Sequence, residues 1–158
     1  MQDILIRRAN LKDLPILESF EQAVIEYERP FAPNLKPDPI EYYPLEDLIE
    51  DEYACFLVAE KEGRLIASGY ASIEKSKPTK KERYHAYLGF MFVVPEFRGK
   101  GVNGQIIQAL IDWAKNHNIT EIVLDVYAKN ESALKSYRKF GFEPELLNMR
   151  FNTEECNN

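Results

Sequence analysis

The sequence predicts a mixed α/β fold of the α+β kind, and three observations predict it. Residues 56–60 and 65–73 are apolar runs on either side of the polar turn Lys61-Glu62-Gly63-Arg64, the pattern of an antiparallel hairpin. An aromatic run over residues 84–94 stops at Pro95 and passes into a turn containing Gly99, Gly101 and Gly104. Directly after it Val102, Ile106, Leu110 and Trp113 or Ala114 recur at helical spacing, an apolar stripe along one side of a helix. Strand and helix periods interleaved in 158 residues fit one compact domain, expected over residues 1–151 and followed by a frayed tail at 152–158.

In chain order, Ile4, Leu5 and Ile6 form a first strand. Asn10 and Asp13 lead from it into a helix that Leu14, Leu17, Phe20, Ala23, Val24 and Tyr27 carry to the neighbourhood of Glu28. Pro30, Pro33, Pro37, Pro39 and Pro44 forbid its continuation, so a loop precedes a second short helix over 45–52. The hairpin follows, then a basic connection over 75–83, the aromatic strand, the glycine turn and its helix. Residues 121–127 supply the next strand. Ala133, Leu134, Tyr137 and Phe140 mark a short last helix stopped by Gly141, and residues 142–151 a final strand or strand pair.

The glycine turn carries the most chemistry. Glycines let the backbone approach a ligand and turn its N–H groups outward, and the following helix adds the positive end of its dipole, so the expected guest is a pyrophosphate. A Walker loop is excluded, because no glycine here leads into Gly-x-x-x-x-Gly-Lys-Ser/Thr. Gly99, Gly101 and Gly104 do match Gly-x-Gly-x-x-Gly, and Asp125 lies near the distance of the ribose-binding acid. Position rejects that reading, since a fingerprint this late leaves too little chain for the rest of a dinucleotide domain.

The turn resembles the acyl-CoA loop of the GNAT N-acetyltransferase superfamily. Val93, Pro95, Phe97, Arg98 and Gly101 stand in register with that loop, while Asn103 replaces the usual Gly or Ala. A second block resembles the same family: Asn130, Ala133, Tyr137, Gly141 and Phe142 match Asn-x-x-Ala-x-x-x-Tyr-x-x-x-Gly-Phe. The resemblance implies a mostly antiparallel central sheet of six to seven strands with about four flanking helices, its central strands splayed around acyl-CoA.

It also implies roles. Acetyl-CoA is the implied co-substrate and an amine the acceptor, with direct transfer through a ternary complex. Arg98, Gly99, Lys100, Gly101, Val102, Asn103 and Gly104 would hold the pyrophosphate, Met91, Phe92 and Val93 the pantetheine by their backbone, and Asn130 would stand beside it. Asn130 is equally good as a plain helix N-cap. Tyr137 is the implied general acid, since an ordinary phenol is protonated at neutral pH; the same spacing suits a core tyrosine. Many relatives place a glutamate where this chain has Gly89 and Phe90, so the base comes from elsewhere or the amine loses its proton through ordered water. Asp125 and His85 are the candidates, with Tyr87 and Tyr127 beside them. Phe31, Tyr42 and Tyr43, in and beside the proline-rich loop, are candidates for acceptor binding. A non-catalytic acyl-CoA sensor is the alternative that the missing glutamate suggests.

Composition narrows the classes further. Hydrophobic residues make up 45% and charged residues 29%, and no run approaches the roughly 18 apolar residues of a membrane span. The first residues lack a secretory pattern, so the cytoplasm is the expected compartment. Cys55 and Cys156 have no companions at metal-ligand spacing, so no metal is expected. The net charge of −6 is split: residues 18–52 carry eleven acids against Arg29 and Lys36, a net −9, which leaves +3 for the rest. An acidic first lobe attracts a cationic acceptor, although such acids commonly just solvate helices. The basic stretch at 75–83 is too short, in an acidic chain, to predict nucleic-acid binding. A homodimer is compatible with the family.

Overall fold

A computed structural model of the chain describes residues 3–155. They form two compact units, one ending at Asp125 and the other starting at Val126. The first holds β1 (Ile4–Arg8), α1 (Leu14–Glu28), α2 (Leu45–Glu50), β2 (Ala54–Lys61), β3 (Arg64–Lys75), β4 (Tyr84–Val93), α3 (Val102–Asn116) and β5 (Ile122–Leu124). The sheet follows chain order, β1-β2-β3-β4-β5, antiparallel throughout except for the parallel pair β4 and β5.

Asn10 and Asp13 act as caps. Asn10 accepts the Lys12 N–H at 2.9 Å and Asp13 accepts the Asn10 N–H at 2.8 Å, which turns the chain from β1 toward α1. Arg7 grips both carboxylate oxygens of Asp13 at 2.9 and 3.0 Å and reaches Glu60 on β2 at 3.0 Å, tying three elements together.

β2 and β3 are buried along six consecutive residues each, which requires cover on both faces of the sheet. Ile106 of α3 lies over Gly69 on one face. Phe20 of α1 packs against Phe92, the register partner of Ser68, on the other. The inward side of α1 is Leu17, Phe20, Glu21 and Ile25. Ala23 and Tyr27, expected in the apolar stripe, face outward, because Glu21 finds backbone donors inside and takes a core position. On α3 the buried set is Val102, Ile106, Ile107, Leu110 and Ala114, close to the expected stripe.

Two strand expectations are corrected. β5 spans three residues rather than 121–127, and residues 142–151 form no ladder, so the described sheet has five strands instead of six or seven. A strand exists only through its neighbours. Here Leu147, Met149 and Phe151 keep the alternation of a strand face yet stay exposed.

The second unit contains α4 (Glu131–Phe140). Asn130 caps it by accepting the Ala133 N–H at 3.2 Å, and Gly141, at φ +129°, closes it by donating to the Tyr137 and Arg138 carbonyls. Asn152 turns the chain onto Glu154 and Glu155. The end of the expected tail, with Cys156, lies outside the described residues.

Candidate functional site

Strand β4 delivers the chain to the glycine turn. After the single turn Pro95–Phe97, Gly99 and Gly101 adopt φ of +76° and +84°, which a side chain resists, and nothing lies within 4 Å of where a Cβ would be. Val102 starts α3 immediately afterwards. Among the described residues, the backbone N–H groups of Gly99, Lys100, Gly101, Val102, Asn103 and Gly104 have no acceptor; the first helical bond is from Gln105 N–H to the Gly101 carbonyl. Six free donors in succession at a helix N-terminus form an anion cradle. Asn103 Oδ1 is buried beside them without a partner.

The edge of β4 is open over the same stretch. β5 pairs with Ala86, Tyr87 and Leu88 only, so residues 89–93 have a ladder on the β3 side alone. Within it the register slips: Ser68 faces Phe92 and Tyr70 faces Gly89, so Phe90 and Met91 together oppose Gly69. Phe90, 2% exposed, holds the bulge at φ +56°, an unusual conformation for a bulky residue. Ser68 Oγ donates to its carbonyl at 3.0 Å. Arg98 Nε donates to the Val93 carbonyl at 2.9 Å, so that acceptor is already used.

One face of the sheet above the bulge is aromatic. Tyr43 stacks on Phe90 and meets Tyr70 edge-on, and Phe56 and Tyr87 also lie against Tyr70. Burial raises the phenols of Tyr43 and Tyr87 and pushes Tyr70 up to about 12, with Glu28 adding at Tyr43, Asp125 at Tyr87, and Glu74 and Asp125 at Tyr70. All three are therefore protonated donors at neutral pH. Burial also raises the Glu28 carboxyl, against the opposing effect of Tyr42.

Glu21 holds this loop in place. Its carboxylate, on a residue 3% exposed, accepts the N–H groups of both Tyr42 and Tyr43 at 2.8 Å. Gln22 holds the Ile40 carbonyl, and Arg29 holds the Lys36 carbonyl and the Asp38 carboxylate. Tyr42 and Tyr43 thus stand together, with ring centroids 5.6 Å apart, whereas Phe31 turns to Tyr27.

The candidate bases separate. His85 pairs with Glu74 near the far end of β4, its ring nitrogens 2.9 Å from Ser76 Oγ and 3.2 Å from Glu74 Oε1. Five strand residues put it about 16 Å from the bulge. Asp125 follows Leu124, the partner of Leu88, and so stands level with Gly89; Tyr87 donates its hydroxyl to Asp125 Oδ2 at 3.2 Å. In the second unit, Asn130 is 6% exposed and occupied as a cap, and the half-buried Tyr137 meets Phe142 edge-on.

Sequence reasoning missed Glu21, Glu28, Ser68 and Tyr70. A signal for the last existed: an isolated glycine inside an apolar strand, Gly89, marks a bulge or a close approach. Among the described residues no three His, Cys, Asp or Glu side chains are grouped to hold a metal ion, and no helix is long and apolar enough to cross a membrane.

Residues 21–142, most of the chain, match the model of the Acetyltransferase (GNAT) family. The chain belongs to this family. It is 27% identical over 108 residues to a putative [ribosomal protein bS18]-alanine N-acetyltransferase of Bacillus subtilis, covering 68% of this chain and 66% of that protein. The matches to two other curated relatives span 37% and 23% of their length, so the chain spans less than two thirds of the length of these curated relatives. In fold it is similar to the BH1408 protein of Bacillus halodurans, with TM-score 0.85, 22% identity and coverage of 94% and 98% of the two chains. It is also similar to a predicted acetyltransferase of Clostridium acetobutylicum solved with acetyl-CoA, with TM-score 0.71, 20% identity and coverage of 95% and 96%.

Proposed function

We propose that this GNAT protein transfers an acetyl group from acetyl-CoA to a primary amine of a small molecule or peptide, directly, within a ternary complex. The observation that carries the reading is the run of six unpaired N–H groups at residues 99–104 beside the half-open strand β4. A pyrophosphate presents acceptors and no donors, which suits six amides at a helix N-terminus. Pantetheine presents amide donors and acceptors, which suits the β4 edge at Met91, Phe92 and Val93, where β5 no longer pairs and the Val93 carbonyl is already taken by Arg98. The buried Oδ1 of Asn103 suits a pantetheine N–H rather than a phosphate oxygen.

Acetyl-CoA supplies an activated thioester. The chain's residues supply the rest. Main-chain N–H groups at the bulge polarise the carbonyl, Tyr137 gives its proton to the departing thiolate, and Asp125 takes the proton that the acceptor loses. His85, committed to Ser76 and Glu74, is the weaker base. Tyr42 and Tyr43, with Phe31 further out, form the acceptor wall, and the acids of residues 18–52 favour a cationic amine.

The test is to incubate the protein with acetyl-CoA and spermidine, kanamycin, lysine or a short peptide with a free N-terminus, follow free thiol, and measure coenzyme binding by calorimetry. Micromolar binding and amine-dependent thiol release are expected. Binding without release from any of these amines would refute catalysis, and absence of both would refute the coenzyme assignment.

A further inference from the structure

We propose that Tyr70, by lying across Gly89, displaces the base of this reaction one strand over to Asp125, and that Tyr87 is the residue that positions the Asp125 carboxylate. The proposal rests on the acetyl-transfer reading above.

The steric argument comes first. A Cβ on residue 89 would lie 2.5 Å from both the Tyr70 hydroxyl oxygen and its Cζ. Tyr70 is only 7% exposed and is flanked by Tyr43, Phe56 and Tyr87, so its ring yields only at a cost. A side chain at position 89 would have to push that ring aside, and this row of β4 carries no carboxylate.

Register supplies the substitute. Tyr70 faces Gly89 across β3 and β4, and Leu88 faces Leu124 across β4 and β5, so Tyr70, Gly89 and Asp125 lie in one row. Level residues on neighbouring strands project from the same face, and adjacent strands are about 4.8 Å apart. Asp125 thus brings an exposed carboxylate to the face and level that position 89 cannot serve, at the point where β4 loses its neighbour. Tyr87, two residues before Gly89, is on that face too and engages Oδ2, leaving Oδ1 to a substrate.

The groups around Asp125 make the pairing directional. Tyr87 from β4 and Tyr70 from β3 are its electrostatic neighbours, and Glu74 of β3 acts on the same two phenols. The two phenols remain protonated, so they donate and do not compete for the proton. The step balances as follows. The acceptor ammonium gives one proton to Asp125, its neutral nitrogen bonds to the acetyl carbon, the carbon–sulfur bond breaks, and the thiolate takes a proton from Tyr137. The new amide nitrogen sheds its second proton to water, water returns one to Tyr137, and Asp125 releases its own to water, so that of the two protons leaving nitrogen one ends on the thiol and one in solvent.

The experiment uses the full chain with the best amine of the panel above. Asp125→Asn should lower kcat by a factor on the order of 100 to 10,000 and abolish the acid limb of kcat/KM, with acetyl-CoA affinity unchanged. Tyr87→Phe keeps the ring and removes only the hydroxyl; kcat should fall about tenfold while the amine KM and the acetyl-CoA affinity stay unchanged, because only the aim of the carboxylate is lost. The double variant should be no slower than Asp125→Asn alone, the signature of a residue acting through another. An unaltered acid limb in Asp125→Asn, or Tyr87→Phe lowering kcat equally in both backgrounds, overturns the proposal and leaves acetyl transfer standing. A wild-type protein that binds no acetyl-CoA and releases no thiol overturns both.

Discussion

The ring of Tyr43 lies on that of Phe90, centroids 4.7 Å apart and planes 27° apart. One residue belongs to the loop held by Glu21, the other to the bulge in β4, so the loop and the bulge share a contact. Tyr43→Ala should lower unfolding stability by roughly 3 kcal/mol through lost packing. It should also raise the amine KM, whereas Tyr43→Phe should change stability by less than about 1 kcal/mol. Urea titrations and amine saturation curves measure the pair; equal effects of the two substitutions would mean that the hydroxyl, not the stacked ring, matters.

Gly101 tests the cradle separately from the fold. Its φ of +84° costs an L-residue about 1 kcal/mol, while the open space around it gives a methyl nothing to strike. Gly101→Ala should therefore fold with a slightly lower urea midpoint and bind acetyl-CoA several-fold more weakly. Undiminished calorimetric affinity would show that the amides around residue 101 are not the ones that hold it.

Gly89 tests close approach. Gly89→Ala should destabilise by about 2 kcal/mol, because the added methyl meets the Tyr70 ring. Combining it with Tyr70→Ala should cost less than the two single changes together, by about 1 kcal/mol or more. Strict additivity would show that the ring already moves aside.

Asp13 should govern part of the acid sensitivity. The hydrogen bond from Arg7 holds its carboxyl below the usual carboxylate range, with further help from the Asn10 N–H and against its burial. A depressed folded value means that its contribution is complete above the unfolded value near 4 and declines as pH falls below that. Asp13→Asn should lower stability at pH 7 and flatten its fall between about pH 4 and pH 2. Urea midpoints across that range report it; curves that stay parallel to wild type would assign the acid sensitivity elsewhere.

Core and exposed apolar residues should differ sharply. Leu110, 0% exposed, should cost about 3 kcal/mol when cut to alanine. Met149, 82% exposed, should change stability by less than about 0.5 kcal/mol. A large loss at Met149 would show that the apolar face of Leu147, Met149 and Phe151 is covered in solution.

The elements written in local chemistry were legible in the sequence. The Asn10 and Asp13 lead-in, the Glu62-Gly63 turn and the stripe from Val102 to Ala114 each need only near neighbours, and α1, the hairpin and α3 stand where those signals put them. The glycine turn was legible for the same reason. The bulge at Phe90 was not, because a bulge is a property of two strands in register. Glu21 was hidden by its charge: it looked like a solvated residue until the two loop N–H groups were found on it. The strand expected at 142–151 failed in the opposite way, since its alternation is local but its partner is not. At the candidate site, Tyr42 and Tyr43 lie side by side and Phe31 lies against Tyr27, contacts that no local pattern encodes, and His85 differs from Asp125 only through the β4–β5 register, which is a property of two strands.

Because Glu21 grips main-chain N–H groups, its hold on the loop is indifferent to which side chains follow those amides. Any residue other than proline offers the same donors at 42 and 43. The loop proposed to face the amine can thus be rewritten while its anchor persists, and a lineage could change those side chains without refolding the sheet.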